Sequence, residues 1–170
     1  MKLNLGCHNR PKEEYTNVDM DQYPGVDMVS DVSKLDLPDS CAEEIYASNV
    51  LEHFPHTRTM EVLKEWNRLL KEDGILKISV PDFDRAIEIY QKSGLCDWVV
   101  NFIYGDQGYP GAFHYCAFNE IRLTKILKEA GFSEVSRVEY LPSAGPDECS
   151  MLVSNVDMKP VCLNMVAVRG

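Results

Sequence analysis

The sequence predicts an α/β protein built on an open, twisted, doubly wound sheet of six or seven strands, and three observations carry that prediction. Short apolar runs alternate with longer amphipathic stretches, the pattern of strands joined by helices and so of a mostly parallel sheet covered on both faces. The early runs end in glycine or polar corners: Gly6-Cys7, Asp19, Ser30-Asp31 and Ser48-Asn49. The last two runs follow one another with no helical segment between them, so the C-terminal strand is antiparallel.

Residues 2–5, 15–18, 26–29 and 44–47 read as the first four strands. Only eight residues separate Gly6 from Tyr15, whereas a parallel crossover with its helix needs roughly ten or more. The chain therefore crosses by an extended loop. Over 58–71 the period becomes helical, with Val62, Leu63, Trp66, Leu69 and Leu70 on one face and Lys71-Glu72-Asp73-Gly74 as the stop. A strand over 75–80 is halted by Pro81, and helices are expected over 83–91 and 96–103. The segment "GDQGYPG" at 105–111 holds three glycines and a proline and is a loop. Asn119 caps a helix carrying Leu123, Ile126, Leu127 and Ala130, ended by Gly131. Strands over 135–141 and 161–168 close the sheet, with 142–158 as a hairpin connection or a partly ordered excursion between them. No repeat or linker interrupts the chain, so residues 1–170 are expected to form one domain.

Composition narrows the function. The formal net charge is −10 and no cluster of Lys or Arg occurs, which argues against nucleic acid and anionic membranes as partners. Six cysteines lack any CxxC pair, and His53 and His56 stand three apart beside a proline, so no metal site is expected. The N-terminal "MKLNLGCHNR" is not a secretory signal, and no apolar run approaches the roughly 20 residues that span a bilayer. A cytoplasmic protein with reduced thiols is expected.

Ligands of an open parallel sheet bind at the carboxyl ends of its strands. There Asp19 can accept two hydrogen bonds from a ribose diol, and Asp31 can accept from an adenine amino group. Ser48 and Asn49 follow the fourth strand, with Glu52 and His53 one turn further on. Gly6 permits close backbone approach, and the amides after it can hold a carboxylate or phosphate. Each feature also has a structural reading, since a strand-end Asp forms turns and Ser or Asn caps helices. What favours a site is that four strand ends supply fitting groups in a consistent order.

The succession "LNLGC", "TNVDMD", "MVSDVSKLDLPDSCAEEIYASNVLEHF", "LLKEDGILKISVPD" and "LTKILKEAGF" resembles the class I S-adenosylmethionine-dependent methyltransferases, and within them a small, poorly characterised group that starts at the first strand without N-terminal cover helices. The resemblance implies a Rossmann-like sheet of seven strands with the last antiparallel. It places Gly6 and Cys7 at the cofactor's amino-acid end, Asp19 on the ribose and Met20 against adenine. Asp31 and Val32 then address the adenine edge, Ser48 and Asn49 line the middle, and His53 lies near the transferred methyl. The family loop is G-x-G-x-G, but Gly6-Cys7-His8-Asn9-Arg10 keeps only the first glycine, so His8, Asn9, Arg10 or the loop amides take over the anion. Without cover helices, either residues 105–115 or a second copy in a homodimer closes the site, or the site is open and binds poorly.

Methyl transfer needs a base only where the acceptor must lose a proton early. His53, His114 and Asp82 are the candidates, with capping of the next helix the favoured role for Asp82 and His114 equally suited to packing its loop. Tyr109, Phe113 and Tyr115 form an acceptor wall or anchor that loop. By elimination the acceptor is a small molecule. The alternative is a non-catalytic domain with a degenerate cofactor loop, either one that binds S-adenosylmethionine or S-adenosylhomocysteine or one that has lost the cofactor and serves protein interaction.

Overall fold

The computed structural model describes residues 1–142, 144 and 151–170. Seven strands form one sheet: β1 (Lys2–Leu5), β2 (Thr16–Asp19), β3 (Met28–Val29), β4 (Ala42–Ser48), β5 (Leu70–Pro81), β6 (Phe132–Val138) and β7 (Cys162–Arg169). Their spatial order is β3-β2-β1-β4-β5-β7-β6. The first five run parallel, and β7 lies antiparallel between β5 and β6. This is the predicted α/β architecture, including the reversed C-terminal strand. Leu3, Leu5, Val18, Ile45, Ala47, Ile78 and Val80 are fully buried, as strands of a sheet covered on both faces must be.

The crossover from β1 to β2 contains no helix, as its length requires. Two asparagines hold it instead. Asn4 and Asn17 are paired across β1 and β2, and Asn4 Nδ2 donates to Asn17 Oδ1 at 2.9 Å and to the Arg10 carbonyl at 3.2 Å. Asn17 Oδ1 also accepts from the Lys12 amide at 2.7 Å, and its Nδ2 donates to the carbonyls of Lys12 and Tyr15. Side-chain amides thus satisfy loop backbone groups that would otherwise be buried without partners.

Helix α1 (Thr59–Leu69) buries Val62, Leu63, Trp66 and Leu69 against the sheet, and Trp66 Nε1 donates to the Val32 carbonyl at 3.0 Å. It ends earlier than the Lys71–Gly74 signal suggests. Leu70 is extended, fully buried and paired with Ala42, and 71–74 bulge within β5 before Ile75 pairs with Glu44. Burial of Leu70 in the sheet thus outweighs the helical period. Helix α2 (Phe83–Ser93) starts at an Asp82 cap, and α3 (Cys96–Tyr104) follows it. Helix α4 (Glu120–Glu129) is capped by Asn119, whose side chain accepts from the Arg122 amide. β6 begins three residues before the expected start, because Phe132 pairs with Arg169 directly after Gly131. Leu141 lies beyond it in a small cluster with Tyr15 and Tyr46. Of the expected 142–158 connection, residues 143 and 145–150 lie outside the described residues. Beyond them Val153 and Pro160 form an isolated antiparallel bridge.

Strand registers set the working edge. Leu5 pairs with both Val18 and Ala47, and Asp19 pairs with Val29, so Gly6, Asp19, Ser30 and Ser48 emerge side by side.

Candidate active site

A cleft of about 950 Å³ runs along this edge. Gly6, Cys7, His8, Asn9 and Arg10 line it from the loop after β1, Asp19 and Met20 from the end of β2, and Asp31 and Val32 from the segment after β3. Ser48, Asn49 and His53 line it after β4, and His114 lines it from the 105–115 segment. Asp82 does not line it. Its side chain is buried, caps α2 through the amides of Asp84 and Arg85, and pairs with Arg137 Nη2 at 2.9 Å. The acid after β5 is thus placed as a helix cap rather than as a base within the cleft.

Gly6 has φ +65°, and a Cβ there would stand 2.5 Å from Val50 Cγ2, so the turn requires glycine. The amides of Gly6 and Cys7 donate to the Val18 carbonyl at 2.8 and 3.2 Å, and the Arg10 amide to the Cys7 carbonyl at 2.8 Å. The His8 amide donates to Asp19 Oδ2 at 2.7 Å. These four loop amides are engaged within the fold. The His8 ring packs against Tyr23 with centroids 4.2 Å apart, and Arg10 is exposed. Burial, then the nearby Asp19, pushes the Cys7 thiol up to about 11.

Asp19 is buried, and its Oδ1 also accepts from the Asp21 amide at 3.1 Å. Each carboxylate oxygen keeps further acceptor capacity. Asp31 is exposed and accepts from the Ser33 amide at 2.8 Å. Both acids therefore shape their turns as well as facing the cleft. Met20 is 66% exposed, an apolar side chain on the cleft beside Asp19. Asn49 is left-handed at φ +56° and donates its amide to the Ser79 carbonyl at 2.9 Å.

The histidines meet. Their ring centroids lie 4.8 Å apart, edge to face at 80°. Nδ1 of His53 stands 3.0 Å from the Phe113 carbonyl and Nδ1 of His114 stands 3.1 Å from the Phe102 carbonyl. Burial lowers both pKa values, nearby carbonyls offsetting part of the effect, and for His114 the neighbouring His53 lowers it further. Behind them Glu52 is fully buried, and neither carboxylate oxygen has a hydrogen-bond partner among the described residues. Burial pushes this carboxyl up to about 8, although the Asn49 side chain stands near enough to offset part of that rise.

Residues 105–115 do flank the cleft: the His114 amide donates to the Tyr104 carbonyl and the Tyr115 amide to the Glu52 carbonyl. Helix α3 lies where the sequence predicts a helix, but its place on the cleft was not expected: Trp98, Asn101 and Phe102 also line it, with Trp98 stacked on Phe102 at 4.8 Å. A signal existed in the many apolar residues of "CDWVVNFIY", none of which the fold buries.

Residues 8–78 match a family model described as a methyltransferase domain. No curated protein matches the sequence. Among solved structures, an S-adenosylmethionine-dependent methyltransferase from Archaeoglobus fulgidus is similar at 17% identity and TM-score 0.65, over 99% of this chain and 85% of that one. A second, from Methanosarcina mazei, is similar at 18% identity and TM-score 0.66, over 99% and 91%. A 1,6-didemethyltoxoflavin-N1-methyltransferase from Burkholderia thailandensis is similar at 17% identity and TM-score 0.62, over 99% and 70%. At these identities the structural likeness is one of fold. The chain therefore shares the fold of these S-adenosylmethionine-dependent methyltransferases and, over residues 8–78, resembles a methyltransferase domain in sequence. Among the described residues no helix is long and apolar enough to cross a membrane.

Proposed function

We propose that the cleft binds S-adenosylmethionine and that the enzyme methylates a small-molecule acceptor. The observation that carries this is the strand register, which brings Gly6, Asp19 and the Ser48-Asn49 corner together around one cleft. The residues fit the cofactor: an acid with spare acceptor capacity for a diol, an exposed methionine beside it for a flat base, and Arg10 for a carboxylate. When bound, S-adenosylmethionine supplies a sulfonium methyl that a nucleophile displaces in line. The protein's part is to orient the two reactants and exclude water. Trp98, Phe102, Tyr109 and Phe113 form the apolar wall on the acceptor's side, and His53 and His114 face the place where methyl transfer occurs. Exposed Val100, Tyr104 and Tyr109 beside the cleft support closure by a second copy of the chain.

The cleft is within the size range of small-molecule sites, and the acidic chain disfavours a polyanionic acceptor. The similar Burkholderia thailandensis enzyme holds 1,6-didemethyltoxoflavin together with S-adenosylhomocysteine. The test incubates the enzyme with methyl-labelled S-adenosylmethionine and cell extract separated into small-molecule, RNA and protein fractions. Label entering the small-molecule fraction supports the proposal. Label confined to RNA or protein overturns it.

A further inference from the structure

We propose that Glu52, His53 and His114 form a binding site for a divalent first-row transition-metal ion. The site deepens the reading of the cleft, lying where the acceptor is proposed to enter, but ion binding does not depend on the cofactor. One donor atom from each residue lies within 4.8 Å of the others. Glu52 and His53 come from the turn Leu51–His53, while His114 arrives from the 105–115 segment.

Two observations point to a cation site. The first is Glu52. A carboxylate with no exposed surface and, among the described residues, no hydrogen-bond partner for either oxygen beyond the nearby Asn49 side chain is expensive to keep in a core, and proteins retain such groups where something completes them. The second is the state of the imidazoles. A carbonyl oxygen only accepts, so the contacts to Phe113 and Phe102 put the proton of each neutral ring on Nδ1 and the lone pair on Nε2. Ligand histidines are commonly oriented in this way, with the non-ligating N–H donated to a carbonyl.

Two imidazoles and one carboxylate make a donor set that suits zinc and its neighbours over Mg²⁺ or Ca²⁺, which favour oxygen. Bonds of about 2.1 Å place donors roughly 3 to 4 Å apart around one ion, so the group closes inward by about 1 Å on binding. With three protein ligands a position stays open toward the cleft. The pairing of His53 with His56 is not involved: His56 is exposed and outside the group.

The test is calorimetric titration of tag-free, chelator-stripped protein with ZnCl2, MnCl2 and MgCl2, with a thermal melt of each sample. Wild type is expected to bind one Zn²⁺ per chain, with Mg²⁺ at least about tenfold weaker. Glu52→Gln and His114→Ala are each expected to weaken Zn²⁺ at least about tenfold, and His56→Ala to leave it unchanged. Glu52→Gln keeps the side-chain volume and removes the carboxylate that would ligate the ion. It should therefore fold with a melting temperature at least equal to that of stripped wild type, and Zn²⁺ should raise the melting temperature of wild type but not of this variant. Absence of Zn²⁺ binding by folded wild type, undiminished binding by Glu52→Gln, or a preference for Mg²⁺ would each overturn the proposal. A titration of the same stripped protein with S-adenosylhomocysteine reports on the cofactor reading separately.

Discussion

Replacing Asp19 with asparagine separates its two roles, turn-former and ligand acceptor. The wild-type carboxylate already takes the His8 amide on Oδ2 at 2.7 Å and the Asp21 amide on Oδ1 at 3.1 Å. Asn keeps the shape and one acceptor oxygen, but its NH2 must face one of those N–H groups, donor against donor. An amide donor left unpaired costs about 1–3 kcal/mol, and at roughly 2–4 °C per kcal/mol for a chain of this size the melting temperature should fall by about 2–12 °C. The ligand effect comes in addition. Losing one charge-assisted hydrogen bond to a hydroxyl is worth about 1.5–3 kcal/mol, or roughly 10- to 150-fold in Kd at 1.4 kcal/mol per decade. Calorimetric titration with S-adenosylhomocysteine, at a temperature where both proteins are folded, reads this directly. A variant with the lowered melting temperature and unchanged affinity would refute the reasoning, leaving Asp19 a turn residue only.

Three further outcomes follow from the same geometry. Gly6→Ala should destabilise the protein by about 1–3 kcal/mol, from the left-handed backbone and the contact its Cβ would make with Val50; a melting temperature equal to wild type would contradict this. Cys7, with its thiol pushed up to about 11, should be alkylated by iodoacetamide at pH 7.5 far more slowly than exposed Cys96, and mass spectrometry showing equal labelling would contradict that. Arg85, then Lys92, holds the Asp157 carboxyl below the usual carboxylate range. A folded pKa beneath the unfolded one contributes stability that is complete above the unfolded value and lost as pH falls through the folded one. The melting-temperature gap between wild type and Asp157→Asn should therefore be constant from pH 7 to about 5 and narrow progressively below about 4. A gap that persists unchanged at pH 2.5 would contradict the ion-pair account.

Much of the fold was legible because its causes are local. The eight residues between Gly6 and Tyr15 exclude a crossover helix by length alone, and the glycine and acid corners mark strand ends by turn chemistry. The errors arose where tertiary burial decided. Leu70 completes the helical stripe of α1 yet belongs to β5, because the sheet buries it beside Ala42. For Asp82 the sequence favoured the cap over the base, and the start of α2 and the position of Arg137 bear that out. Within the cleft, the residues that line it followed from strand order, while the bonding of the loop amides did not, since their acceptors, Val18 and Asp19, lie across the sheet. Glu52 was the least legible. In "NVLEHF" it resembles any polar residue of a turn, and the tight turn that sinks it behind the histidines has no sequence mark of its own.

The most direct measurement is a crystal structure of the protein grown with S-adenosylhomocysteine. The account predicts density for one molecule in the cleft, with its ribose hydroxyls on Asp19, its adenine beside Met20 and Asp31, and its sulfur toward His53. S-adenosylhomocysteine bound elsewhere, or a cleft left without it at saturating concentration, would contradict the account.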